Sequence, residues 1–257
     1  LVLCGAASAQ AKMVTVNAGG GADYKSIQAA IDAASPGDTV QVAAGTYKER
    51  IRLASDIDVL GAGFKTTIID GDTGDAGGIV VYANGVDNMV FDGFTVINSG
   101  HLTRPPAGIY ILSGSLVVSN NLVANNYNGF RISGGSSAVI RNNIITKNGH
   151  PDSWINYGII SINSTPLITN NVIADNESKG IYIGRVDDSE VRGTRIINNT
   201  IVKHRSDGIQ CYKSAPTIKN NIVTGNGYGI AASHHPDGDR HPTLSYNNVW
   251  DNIDNYN

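Results

Sequence analysis

Apolar residues in most of this chain fall in short alternating runs broken by Gly and Asn, and one phrase of this kind recurs. GIYILSGSLVVSNNLVANN, from Gly108, returns as GFRISGGSSAVIRNNIITKN from Gly129, GIISINSTPLITNNVIADN from Gly158 and GIQCYKSAPTIKNNIVTGN from Gly208, with longer versions opening at Gly180 and Gly229. Helical spacing does not fit such runs, whereas strands do. One asparagine per copy sets the alignment: Asn121, Asn143, Asn171, Asn199, Asn221 and Asn247, separated by 22, 28, 28, 22 and 26 residues. The basic step is therefore 22 residues, and the excess is inserted loop. A fixed period of this size marks a stacked array rather than a single globular core.

If each copy is one coil of three strands, successive coils lie about 4.8 Å apart and equivalent residues stack in columns. Ile140 and Ile145, Ile168 and Ile173, and Ile218 and Val223 keep one frame around their markers and supply the interior. A column of asparagines can pass amide hydrogen bonds from coil to coil, satisfying polar groups that are costly to bury alone. Asn126, Asn148, Asn176, His204, Asn226 and Asn252 form a second column, broken only by His204, which reads as a substitution tolerated for its size. In the preceding coil, VDNMVFDGFTVINS places Gly93 at the marker and Asn98 in the second column. The one helical stretch is DYKSIQAAIDAASPG: Asp23 is its expected N-cap, Ile27, Ala30, Ile31 and Ala34 share a face, and Pro36-Gly37 ends it. Laid over the mouth of the array, it would cover an open edge.

Composition agrees with an all-β, turn-rich chain, with 30 Gly and only 16% charged residues among 257. A net charge of −3 gives no electrostatic case for nucleic acid. The opening LVLCGAASAQA resembles the end of a signal segment, so residues 1–11 are expected to be a signal remnant and 12–257 one β-helix domain, truncated at its C-terminus. Export to the periplasm, the cell surface or the medium follows, with lipidation at Cys4 a secondary reading. Cys211 occupies the inward slot of Ile111, Ile132 and Ile183 and is expected to be a buried thiol. No stretch is long and apolar enough to span a membrane, and a monomer is expected.

The phrase DYKSIQAAIDAASPGDTVQVAAGTYKERI, followed by VLGAG and TTIIDG, resembles the N-terminal signature of the pectin-lyase-like parallel β-helix superfamily. The Gly-Ile and Asn-Asn repeats are similar to its generic repeat region. The resemblance covers nearly the whole chain and implies an all-β, right-handed, single-stranded parallel β-helix with an N-terminal capping helix. It implies no particular chemistry, because that superfamily holds lyases, hydrolases, esterases, epimerases and proteins without known catalysis. The catalytic phrases of pectin methylesterases are missing here, and of the polygalacturonase motifs only a lone Asp187-Asp188 is found, out of context.

In the strand that opens each copy the first Ile points inward, so the next residue points outward. This outward column reads Tyr110, Arg131, Ile160, Tyr182, Gln210 and Ala231, with Tyr212 two residues beyond Gln210. Rings and planar polar groups in line along a sheet face suit an extended sugar chain. Two insertions, GHLTRPPA and GHPDSWINY, enter this strand on either side of Arg131 and bring His101, Arg104, His150, Asp152, Trp154 and Tyr157. His204, Arg205 and Asp207 form a second candidate group. The acidic run Asp187, Asp188 and Glu190 lacks the ligand spacing of a calcium loop, and His234, His235, Asp237, Asp239 and His241 lack a backbone pattern that would fix a metal. No cofactor is expected.

These residues point to an exported carbohydrate-active protein, with a lyase on a uronate-containing polysaccharide as the leading reading. Elimination needs a cation on the carboxylate, which Arg131 offers, and a base, for which His150, His101 and Tyr110 are the candidates. Trp154, Tyr157, Tyr182, Gln210, Tyr212 and Arg104 would hold the sugar. A hydrolase would want two carboxylates flanking the bond, and the outward column has none. The rival class is a non-catalytic surface, adhesion or carbohydrate-binding module.

Overall fold

Short β-branched runs ended by left-handed turn residues leave the chain one way to bury its apolar side chains, which is to coil. The computed structural model describes residues 11–74, 77–100, 106–150, 156–185, 193–233 and 241–257. Each coil contributes three strands, and every strand pairs in parallel with its equivalent one coil away. Among the described residues, the first and second strands form a 17-stranded sheet and the third strands a 9-stranded sheet. The long strands Ile79–Asp92 and Ala107–Ser119 run from one face of the larger sheet into the next.

Alternation along each strand turns one residue in and the next out. The resulting inward columns include Val81, Ile109, Phe130, Ile159, Ile181, Ile209 and Ile230 on the first strands, and Ile69, Val96, Val123, Ile145, Ile173, Ile201 and Val223 on the third, all buried. Each such side chain contributes roughly 1.5 to 3 kcal/mol. Cys211 lies in register with Ile183, is 1% exposed, and has its thiol pushed up to about 12 by burial, so it serves as a small core residue.

The Asn-Asn doublets divide two tasks between their members. Asn120, Asn142, Asn170, Asn198 and Asn220 take the left-handed conformation, with φ of 55 to 58°, which Asn tolerates better than most residues. The next residue turns inward and stacks. Its Oδ1 accepts the backbone N–H of the same position one coil earlier: Asn121 to Asn143 at 3.0 Å, Asn143 to Asn171 at 2.9 Å, Asn171 to Asn199 at 3.0 Å and Asn199 to Asn221 at 2.9 Å. The second ladder repeats the scheme from Asn126 to Asn252. His204 keeps it going: Nδ1 accepts from the Asn176 N–H at 3.2 Å, and Nε2, as the protonated nitrogen, donates to Ile173 O at 3.2 Å. An imidazole in that tautomer presents the acceptor and donor of a carboxamide. Burial holds its pKa down at about 4.

Three expectations need correction. Phe94, not Gly93, stands at the marker position and donates its N–H to Asn121 Oδ1, while Ser99, not Asn98, does so to Asn126. Gly93 and Asn98 are instead the left-handed residues just before, with φ of 84° and 63°. Phe94 stacks on Phe91 at 4.6 Å, so the first ladder begins on an aromatic pair. The helix Ile27–Ala33 is capped by Ser26 rather than Asp23. Glu49 supplies the anion that a helix N-terminus favours, accepting from Ser26 Oγ at 2.7 Å, Ile27 N at 2.9 Å and Gln28 N at 3.1 Å. Asp23 bonds Thr15 instead, and those bonds hold its carboxyl below the ordinary value. The helix buries Ile27, Ala30 and Ile31 against Met13–Val16, Thr39–Val42 and Ile51–Arg52 at the start of the stack, as a cap should. Among the described residues no helix is long and apolar enough to cross a membrane.

Candidate functional site

The second ladder decides which residues face outward on the first strands. A Cβ on Gly108 would lie 2.7 Å from Asn126 Nδ2, and one on Gly180 would lie 2.7 Å from His204 Nε2, so the ladder packs directly under the glycine column. The Ile after each glycine is then inward and the following residue outward. Register puts Tyr110 against Arg131, Arg131 against Ile160, Ile160 against Tyr182, Tyr182 against Gln210 and Gln210 against Ala231. The same column extends two coils further than the repeat phrase shows, because Tyr82 pairs with Tyr110 and Arg52 with Tyr82.

Side chains along this column touch in sequence. The Arg52 guanidinium lies 5.9 Å from the Tyr82 ring centre, Tyr82 and Tyr110 are 5.5 Å apart, and the Arg131 guanidinium lies 5.7 Å from the Tyr110 ring. Tyr110 Oη is 3.0 Å from Ser133 Oγ. Arg131 is half-buried, and its Nε is shielded from solvent without a hydrogen-bond partner, which corrects the expectation of a fully solvent-facing residue. Neither Arg52 nor Arg131 has a carboxylate among the ion pairs of the described residues.

Tyr157 sits one residue before its glycine, paired with Lys179, and its ring is 5.3 Å from that of Tyr182. Burial raises the Tyr157 phenol, while Arg131 opposes that rise and Asp207 adds to it. Tyr182 is pushed up to about 12, first by burial and then by the neighbouring Tyr157 and Tyr212 phenols. Arg131, Tyr157, Tyr182 and Asp207 thus share one electrostatic neighbourhood. Lys179 is neutralised: it forms an ion pair with Asp207, and its Nζ also reaches Ser206 Oγ at 3.1 Å. A cleft of about 350 Å³ opens beside this pair, lined by Ser206, Gln210, Tyr228 and Ser233 as well.

Of the residues singled out from the sequence, Arg131, Tyr110, Tyr157 and Tyr182 are brought together, and Gln210 and Tyr212 continue the same face. Tyr212 is 38% exposed, with Lys213 Nζ 5.8 Å from its ring. His150 is exposed at the turn, its N–H donated to Asn156 Oδ1 at 2.9 Å. His101, Arg104, Asp152 and Trp154 lie outside the described residues, as do Asp187, Asp188, Glu190 and most of the late histidine loop. The His204, Arg205 and Asp207 group is split three ways: His204 belongs to the ladder, Arg205 pairs with Glu177 at 3.5 Å, and Asp207 holds Lys179. Arg52 and Tyr82 were missed because their coils carry no ladder asparagine, and because the Arg52 coil has no Gly-Ile phrase while Gly78-Ile79 in the Tyr82 coil stands two residues out of register, Ile79 opposite Ala107 and Val81 opposite Ile109. Their signal was the inward Ile51 and Val81 that precede them.

A stack of parallel coils, each strand paired with its equivalent one coil away, defines a parallel β-helix protein. The sequence pattern of the family described as "Right handed beta helix region" matches residues 77–249, and the chain belongs to that family. Its fold is similar to that of the pectate lyase Pel9A, with 16% identity and a TM-score of 0.69 over 97% of this chain and 79% of that one. Carrot pectin methylesterase gives 15% identity and a TM-score of 0.67, over 98% and 89%. The A-module of the Azotobacter vinelandii mannuronan C-5 epimerase AlgE6 gives 19% and 0.56, over 80% and 67%. No curated protein matches by sequence.

Proposed function

We propose that this protein is exported and acts on an acidic polysaccharide laid along the first-strand face, and that its chemistry is the eliminative cleavage of a uronate linkage. The observation that carries this reading is Arg131, a cation without a carboxylate partner among the described residues, packed on Tyr110 and beside Tyr157 in a column that runs along the stack. The similar structures, a pectate lyase, a pectin methylesterase and a mannuronan epimerase, support the substrate class. Arginine holds a carboxylate through two parallel hydrogen bonds, and that grip stabilises the charge that grows there as the neighbouring C–H proton leaves. The C–H electrons then form the new carbon–carbon double bond, the bond to the glycosidic oxygen breaks, and that oxygen takes up a proton. Tyr110, buried against Arg131 with its hydroxyl 3.0 Å from Ser133 Oγ, is the side chain we assign to take that proton as its own hydroxyl proton passes to Ser133.

One observation favours a second reading, a non-catalytic binding face. Lys179 and Asp207 are locked on each other, and burial pushes the Tyr157 and Tyr182 phenols up, so these groups hold a ligand better than they move a proton. The purified protein with pectate, alginate and glycosaminoglycans decides between them. Absorbance of an unsaturated product supports the lyase; binding without absorbance supports the binding module; neither binding nor product overturns both.

A further inference from the structure

Among the described residues, the two cations of the outward column without an acid partner stand at a fixed separation. Arg52 pairs in register with Tyr82, Tyr82 with Tyr110, and Tyr110 with Arg131, so three strand spacings divide the guanidinium-bearing positions. That distance is about 14 Å along the axis of the stack. Between them lie only two tyrosine rings, in contact with each other and each with one guanidinium. Gln28 fixes Arg52 through its backbone, accepting from Arg52 N at 2.6 Å, and leaves the side chain exposed over Tyr82. Lys179, the cation on the other side of Arg131, is already matched by Asp207.

We infer that Arg52 is a distal specificity-determining residue, which with Arg131 reads two acidic groups three sugars apart and so selects polymers that carry a charge on every sugar. This rests on the proposed action on acidic polysaccharides. Each sugar of an extended chain advances by close to one coil, so four consecutive sugars reach from Arg131 to Arg52 with their middle two over Tyr110 and Tyr82. A polymer with an acid on every sugar satisfies both arginines in any register. One with an acid on alternate sugars cannot, because three is odd and a neutral sugar then meets one guanidinium.

The test is calorimetric binding at fixed ionic strength of size-defined polyuronate oligomers and of hyaluronan oligomers, with wild type, Arg52→Gln and Arg52→Lys. Polyuronate affinity should rise in a step once the chain is long enough to span both arginines, and Arg52→Gln should remove that step, weakening longer oligomers roughly tenfold. Arg52→Lys should restore it in part, since the charge remains and the planar fork is lost. Hyaluronan should show no step and little change. If the step survives Arg52→Gln, or if hyaluronan loses as much as polyuronate, the distal residue is refuted while the proposed function stands. Failure of wild type to bind any acidic polysaccharide refutes both.

Discussion

The inner ladders and the outward column of the first strands repeat at the same interval, yet they follow opposite rules. In the ladders each side chain passes a hydrogen bond to the next, so every member must present one acceptor and one donor, and all but one of the coils from Asn121 onward use Asn. Outside, the column reads Arg52, Tyr82, Tyr110, Arg131, Ile160, Tyr182, Gln210 and Ala231, and its first four members meet through ring and guanidinium contacts. Uniformity inside builds the stack, and variety outside gives each coil its own chemistry. Substitutions should therefore separate cleanly, with inner changes read in stability and outer changes in ligand handling.

The largest effect is expected at Asn171, in the middle of the first ladder. Asn171→Leu removes the acceptor of Asn143 N–H and the donors to Ile140 O and Asn199 Oδ1, and should cost about 3 kcal/mol or more in chemical denaturation. A negligible shift in the midpoint would break the distinction from the inside. His204 sharpens it through pH. Its folded pKa of about 4 lies below the ordinary 6.5, so its contribution is complete above pH 6.5 and is lost as pH falls towards 4. The wild type should lose about 3 kcal/mol to this group across that window. His204→Asn, which restores the ladder amide, should melt with a flatter acid limb, and an unchanged limb would place the titration elsewhere. Asn176→Ser is expected to cost about 1 kcal/mol, less than Asn171→Leu, because a hydroxyl keeps part of the side-chain bonding with Asn148 and Ile145 O and the backbone bond to His204 is untouched. The smallest effect is expected from a chelator. Any activity should survive it, and loss of activity with rescue by calcium would locate a site that the column does not contain.

The fold was legible because ladder chemistry demands repetition, and repetition shows in a single sequence. Where repetition stops, legibility stops with it. The coil before Asn121 was misplaced by one residue because Phe94 and Ser99 hold its ladder positions and the left-handed Gly93 and Asn98 looked like the markers. The helix cap was misassigned because its anion, Glu49, comes from the link between strands Gly45–Lys48 and Ile51–Arg52, 23 residues after Ser26. Half of the outward column was readable from Gly108 onward, since alternation alone turns Tyr110, Arg131 and Tyr182 outward. Arg52 and Tyr82 needed the strand register, and so did the Lys179 to Asp207 pair, whose members are distant in sequence and meet only through stacking.

Arg131→Ala, measured for turnover or binding of an acidic polysaccharide and for melting in the same preparation, tests the functional face most directly. The account predicts a loss of roughly a hundredfold in turnover, or of most binding if the face only binds. Arg131→Lys should fall between that variant and wild type, and the stability cost should stay within about 2 kcal/mol because only the contact with Tyr110 is lost. Wild-type handling of the polymer by Arg131→Ala would contradict it.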